Sequence, residues 1–185
     1  MPKRRILFFL AAVVAVALAG IATRATNNDF SFDATELKDT KVWNKVNAEP
    51  YRISVAVDLL CGMPNAKAYE PYRKENPHAA SFITVYVNNT GRDAMFAKEV
   101  QTFPQGSMIV KEKIGTRFEG SKPLVYTIMR KREPGFNPDL GDWEFAVVGP
   151  NGKDIQGRGK LANCQSCHKP KRDSDFVFRS YVKSN

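Results

Sequence analysis

Histidine and cysteine are rare in this sequence, with two of the first and three of the second in 185 residues. An odd number of thiols, Cys61, Cys164 and Cys167, leaves at least one outside any disulfide pairing. No basic stripe with interleaved aromatics occurs, which excludes the usual nucleic-acid groove. There is no internal repeat and no low-complexity tract. Apolar runs are short after about Ala22, and no methionine follows His168.

What is present begins with MPKRRILFFLAAVVAVALAG. Lys3, Arg4 and Arg5 precede an apolar run, and Ala17, Leu18 and Ala19 offer an A-x-A cleavage signal. Residues 1–19 are therefore expected to be a signal peptide cleaved near Ala19, placing the folded part in the periplasm or otherwise outside the cytoplasm. An uncleaved anchor is the alternative, although the run is short for a span. The formal charge is +9; without Lys3, Arg4 and Arg5, 25 basic and 19 acidic side chains leave +6. These charges are scattered, which reads as a solvated surface that could help dock an acidic partner.

Residues 20–50 read as a linker followed by a weakly amphipathic helix at 35–47, with Leu37, Val42, Trp43 and Val46 apolar. From 51 to 185 period-two patterns dominate. Strands are expected at 51–57, 81–88, 107–114, 122–131 and 143–149. A helix is expected after residue 88, with Thr90 and Asp93 as a capping box and Met95, Phe96, Val100 and Phe103 on its buried side. A short helix should carry Cys164 and Cys167. Together these give an α+β fold with a largely antiparallel sheet and a few short helices, to which the C-terminal segment adds a C-x-x-C-H motif.

Cys164-Gln165-Ser166-Cys167-His168 fits C-x-x-C-H, the attachment pattern for haem c. Thiols three positions apart on a helical turn can reach the two vinyl groups of one porphyrin, and the following imidazole can ligate its iron. A redox C-x-x-C belongs near the front of its domain. A structural zinc site would need two further ligands, with only Cys61 and His78 left to supply Cys or His. A disulfide leaves His168 unexplained. One haem c per chain is the reading that uses all three residues. The motif's late position and the missing downstream methionine argue against a common electron-transfer cytochrome. The period-two runs argue against a four-helix cytochrome.

Three segments carry a further likeness: FPQGSMIVKEK (103–113), GDWEFAVV (141–148) and CQSCHKPKRDSDFVF (164–178). In this order and spacing, over roughly residues 80–180, the chain resembles the cytochrome P-460 family, which includes the β-type cytochromes c′. The resemblance implies a homodimer of antiparallel-sheet subunits, each with one c-type haem. It further implies a lysine joined to a meso carbon of the porphyrin, which by position is Lys111. The strand pattern alone puts Lys111 on a face with Ser107, Ile109 and Lys113, and reads that face as polar and solvated. It does not distinguish Lys111 from Lys113.

The face of the haem opposite His168 decides the chemistry. His78 reads as a surface or hydrogen-bonding residue and the internal methionines as core, so an open iron position is expected. Relatives that oxidise hydroxylamine place an acid shortly before the haem cysteines, where a base can take up protons. Residues 155–163 contain none, and Asp154 is the nearest upstream. Some members have an arginine where this chain has Ile83. Asp142 and Glu144 could supply a base, although structural roles are commoner for both. Cys61 reads as a small buried apolar residue, the alternative being an intersubunit disulfide or a reactive thiol.

The resemblance thus implies oxidation of hydroxylamine or a related small nitrogen compound, with electrons passed to a separate redox-partner cytochrome. The alternatives are binding of nitric oxide or carbon monoxide without turnover, and plain electron transfer.

Overall fold

The computed structural model describes residues 30–53, 81–115, 122–180 and 182. The expected signal peptide, Cys61, His78 and the expected strand beyond Ile53 lie outside them. Contacts divide the chain into Met1–Ser31 and Phe32–Asn185, and all the elements below belong to the second unit.

Among the described residues seven strands form one antiparallel sheet: β1 (Trp43–Lys45), β2 (Tyr51–Arg52), β3 (Phe82–Asn88), β4 (Met108–Ile114), β5 (Pro123–Lys131), β6 (Trp143–Val148) and β7 (Ile155–Gly159). Their order is β1-β3-β4-β5-β6-β7, and β2 pairs with the other end of β3. From β3 onward the main strands neighbour each other in chain order, as short connections favour. Two short α-helices are added, α1 (Asn89–Phe96) and α2 (Ala162–His168). The α+β reading with a largely antiparallel sheet therefore holds.

Register assigns the faces. Val85 pairs with Lys111, Lys111 with Thr127, and Thr127 with Val147. In the neighbouring rows Ile83 pairs with Lys113, and Ile109 with both Val87 and Met129. Directly paired residues point the same way, so these side chains share one face. The main apolar cluster lies there: Ile83, Val85, Val87, Ile109, Met129 and Phe145 join Met95, Phe103, Phe176 and others. β6 is buried along its whole length, on both faces.

Three local expectations change. The helix expected at 35–47 is a 3-10 turn at Ala34–Lys38, capped by the Asp33 side chain, followed by β1. Asp39 accepts from the Lys41 N–H through its side chain, and its carbonyl accepts from Trp43. Trp43 can then pair with Asn88, and this long-range strand pairing overrides a weak helical pattern. Val42, one of the apolar positions of the expected helix, is exposed.

The cap of α1 is Asn88, not Thr90 with Asp93. The Asn88 carboxamide oxygen accepts from Gly91 N–H at 3.1 Å and from Met108 N–H at 2.9 Å. One side chain thereby ends β3, starts α1 and ties on β4. Finally, α1 stops at Phe96, because the Arg179 guanidinium donates to the Met95 and Ala97 carbonyls at its C-terminus. Met95 and Phe103 are buried as expected, while Phe96 and Val100 are exposed.

The opposite face carries a polar cluster. Tyr86 and Tyr126 both donate to the Glu112 carboxylate, each at 3.4 Å. Loss of solvent, and then the Glu112 charge, push the Tyr86 hydroxyl up from 10.0 to about 12. A phenol held neutral in the fold contributes stability that is complete below pH 10 and lost as pH rises through about 12. Denaturant midpoints should therefore fall across this window, and Tyr86→Phe should flatten that fall relative to the parent. Equal slopes in the two proteins would contradict the assignment.

Candidate functional site

α2 places Cys164 and Cys167 one turn apart, so both lie on one side of the helix. Each is half-buried, and Cys164 packs against the main apolar cluster. His168 is the last residue of α2, and a 3-10 turn at Lys169–Ser174 follows directly.

The His168 ring lies near two aromatic rings, with centres 5.3 Å from Phe145 and 5.1 Å from Phe178; Phe178 meets it edge-on at 84°. Its Nδ1 is 2.7 Å from the Phe176 carbonyl oxygen. A carbonyl only accepts, so Nδ1 carries the proton and Nε2 carries the lone pair. Burial lowers the His168 pKa from 6.5 to about 4, the Phe176 hydrogen bond opposes this, and the Lys111 charge adds to the lowering. At neutral pH the ring is thus an uncharged base with one nitrogen already oriented. That is the state a metal-binding imidazole needs.

The tail that supplies this carbonyl is held by Asp175. Both of its carboxylate oxygens accept from Lys131 Nζ, at 2.8 and 2.7 Å, and one also accepts from Phe103 N–H at 2.8 Å. Its own carbonyl accepts from the Trp143 indole N–H at 2.8 Å. The Lys131 ammonium lies 4.9 Å from the Trp143 ring centre. Asp175 and Phe176 adopt left-handed φ values of 50° and 62°. This geometry is unfavourable for an aromatic side chain and persists only when the surroundings impose it. Gly141 makes room: a Cβ there would sit 2.9 Å from both an Asp175 carboxylate oxygen and the Phe176 ring.

Lys111 is half-buried on the core face of β4, close enough for its charge to act on His168. The reading of this face as solvated is therefore corrected. Ser107 is buried with its hydroxyl donating to the Pro104 carbonyl, Ile109 is buried, and Lys113 is 1% exposed. The face is covered because Met95, Phe103, Phe176 and Val177 pack into the apolar cluster that Ile83, Val85, Val87, Ile109 and Met129 form there. Between the two strand lysines, Lys111 is the one whose charge reaches the imidazole. Ile83 is fully buried on the same face, paired with Lys113.

The acids weighed as bases have other partners. Glu144 points to the other face, where its oxygens accept from Arg132 at 2.9 Å and Arg158 at 2.6 Å. Asp142 accepts from the Gly135 and Asn137 N–H groups, and Asp154 from the Asn151 carboxamide. Sequence reasoning missed Phe145, the Phe176 carbonyl and Asp175 as parts of the site. The end of segment 164–178, Asp175-Phe176-Val177-Phe178, held the signal, although nothing in it says that a backbone oxygen matters.

Replacing Asp175 by Asn leaves Lys131 charged, nearly buried and without its carboxylate. Loss of one partner from such a pair costs about 3 kcal/mol or more, which denaturant unfolding would measure. Gly141→Ala should cost roughly 1 kcal/mol or more, since it adds a clash to a left-handed backbone. Wild-type stability in both variants would refute the tail anchor.

Comparison with curated proteins gave no match. A family model described as Cytochrome P460 matches residues 65–179, more than half of the chain. That segment contains β3 to β7, both α-helices, and the tail that reaches His168. The chain belongs to the cytochrome P460 family.

Proposed function

We propose that this protein is an exported single-haem c-type cytochrome with an open iron position, which oxidises hydroxylamine or a related small nitrogen compound. Family membership implies a haem. The observation that supports His168 as the ligand of that haem is its half-buried ring, with Nδ1 2.7 Å from the Phe176 carbonyl oxygen, and Lys111 is likewise half-buried on the core face of β4.

In this reading Cys164 and Cys167 form the two thioethers, and His168 Nε2 is the iron ligand. The Nδ1 hydrogen bond fixes the plane of the ring and raises its basicity as a ligand. Lys111 is the ring tether, and Ile83 forms part of an apolar wall on the same face. Bound haem supplies an iron that accepts electrons from a coordinated nitrogen compound. The chain's own residues exclude water and hold the proximal ligand. The electrons leave to a redox-partner cytochrome. Residues 1–19 as a cleaved secretion signal and pairing into a homodimer belong to the same proposal.

A second reading, reversible binding of nitric oxide or carbon monoxide without turnover, is favoured by one observation. Glu144, Asp142 and Asp154 are all occupied with structural partners, which leaves none of the acids weighed above to accept a proton from the substrate.

Steady-state oxidation of hydroxylamine with an excess of electron acceptor separates the two. Turnover supports the enzyme; tight nitric oxide binding with no turnover leaves the binder. The tether is tested by Lys111→Leu, which should restore an ordinary c-type absorption spectrum with haem still attached. An unchanged spectrum would remove Lys111 from the site.

A further inference from the structure

Residues 155–172 contain Arg158, Lys160, Lys169, Lys171 and Arg172 and not one acid. Three of these, Lys169, Lys171 and Arg172, are exposed on the turn that continues α2 beyond His168. Elsewhere exposed lysines alternate with acids, as where Lys38 and Lys41 flank Asp39 and follow Glu36. Asp175, the acid nearest in sequence after Asp173, is already neutralised by Lys131. Asp173, exposed on the same turn, offsets one of the three charges, and the face keeps a net excess of positive charge.

Its position gives it a use. Lys171 Nζ lies 5.1 Å from the Phe178 ring centre, and that ring lies 5.1 Å from the His168 ring. The Arg172 guanidinium is 6.0 Å from the centre of Phe176, whose carbonyl holds His168 Nδ1. A partner seated on these cations is one aromatic ring away from the imidazole. No large exposed apolar side chain occurs among described residues 160–180, so the surface suits a charge-steered, short-lived encounter rather than a permanent interface.

We propose that Lys169, Lys171 and Arg172 form the docking face for an acidic redox protein, which takes electrons from the proximal side through the Phe178–His168 edge. This rests on the haem reading above and adds the chemistry of the partner. The electron that leaves the reduced iron is received by the partner's oxidised metal, one for one, with no proton transfer required at the docking face.

The test uses the full holoprotein and an acidic blue-copper protein as the probe. Calorimetry should show binding that weakens steeply as ionic strength rises from about 10 to about 150 mM, as screening requires. Lys169→Gln/Lys171→Gln/Arg172→Gln should weaken binding at low salt by roughly 10-fold or more and slow copper reduction in parallel. Its absorption spectrum and its oxidation by a small neutral quinone should stay unchanged. The charge-matched control Lys38→Gln/Lys41→Gln/Lys122→Gln should bind like the parent. Equal losses in both triple variants, or none in the first, would overturn the proposal. So would loss of binding to phosphatidylglycerol vesicles in the first variant with the copper protein bound normally, an outcome that assigns the face to a membrane. Absence of covalent haem by pyridine haemochrome assay would sink the functional reading instead, and calorimetry would still report on docking.

Discussion

The Asp175 carboxylate fastens the C-terminal tail to the sheet. It draws the Lys131 ammonium from the end of β5 and the Phe103 amide from the loop before β4, while its carbonyl takes the Trp143 indole at the start of β6. Three anchors on one residue hold the tail in a left-handed turn that an aromatic residue would not adopt in isolation. That turn aims the Phe176 carbonyl at His168. The chain of cause therefore runs from the sheet, through one buried ion pair, to the tautomer of an imidazole. In a nearly buried site such a pair is costly to break from one side, which makes it a dependable support.

The two faces of the sheet have separate duties. One gathers the apolar cluster, Lys111 and the aromatic neighbours of His168. The other holds Glu112 between two tyrosines and Glu144 between two arginines, so its polar groups satisfy one another. Glu144 and Phe145 are adjacent in sequence and serve opposite faces, as the alternation of a strand demands. The acid between Trp143 and Phe145 is thus part of the scaffold. The tool that would have served as a base is used to fasten Arg132 and Arg158.

Much of this was legible beforehand because the patterns are local. Period-two runs located β3 to β6 within a residue or so, and the spacing of Cys164, Cys167 and His168 marked the candidate site. Beyond β7 (Ile155–Gly159), for which no strand was expected, two misses were places where distant partners outvoted a local preference. Leu37, Val42, Trp43 and Val46 suggested a helix until Trp43 found Asn88 on β3. The Asn88 side chain, bonded to two elements at once, took the capping role from Thr90.

Residue order alone determined which side chains could form a turn-spaced thiol pair with an imidazole, and which lysines share a strand face. Tertiary structure decided that this face is covered, that Lys111 is the lysine whose charge reaches His168, and that a backbone oxygen eight residues onward orients the ring. The physical reason is that alternation divides a strand into two faces without saying which will lose its water. Burial, and with it the effective charge and proton affinity of every group on that face, is fixed only when the rest of the chain packs against it.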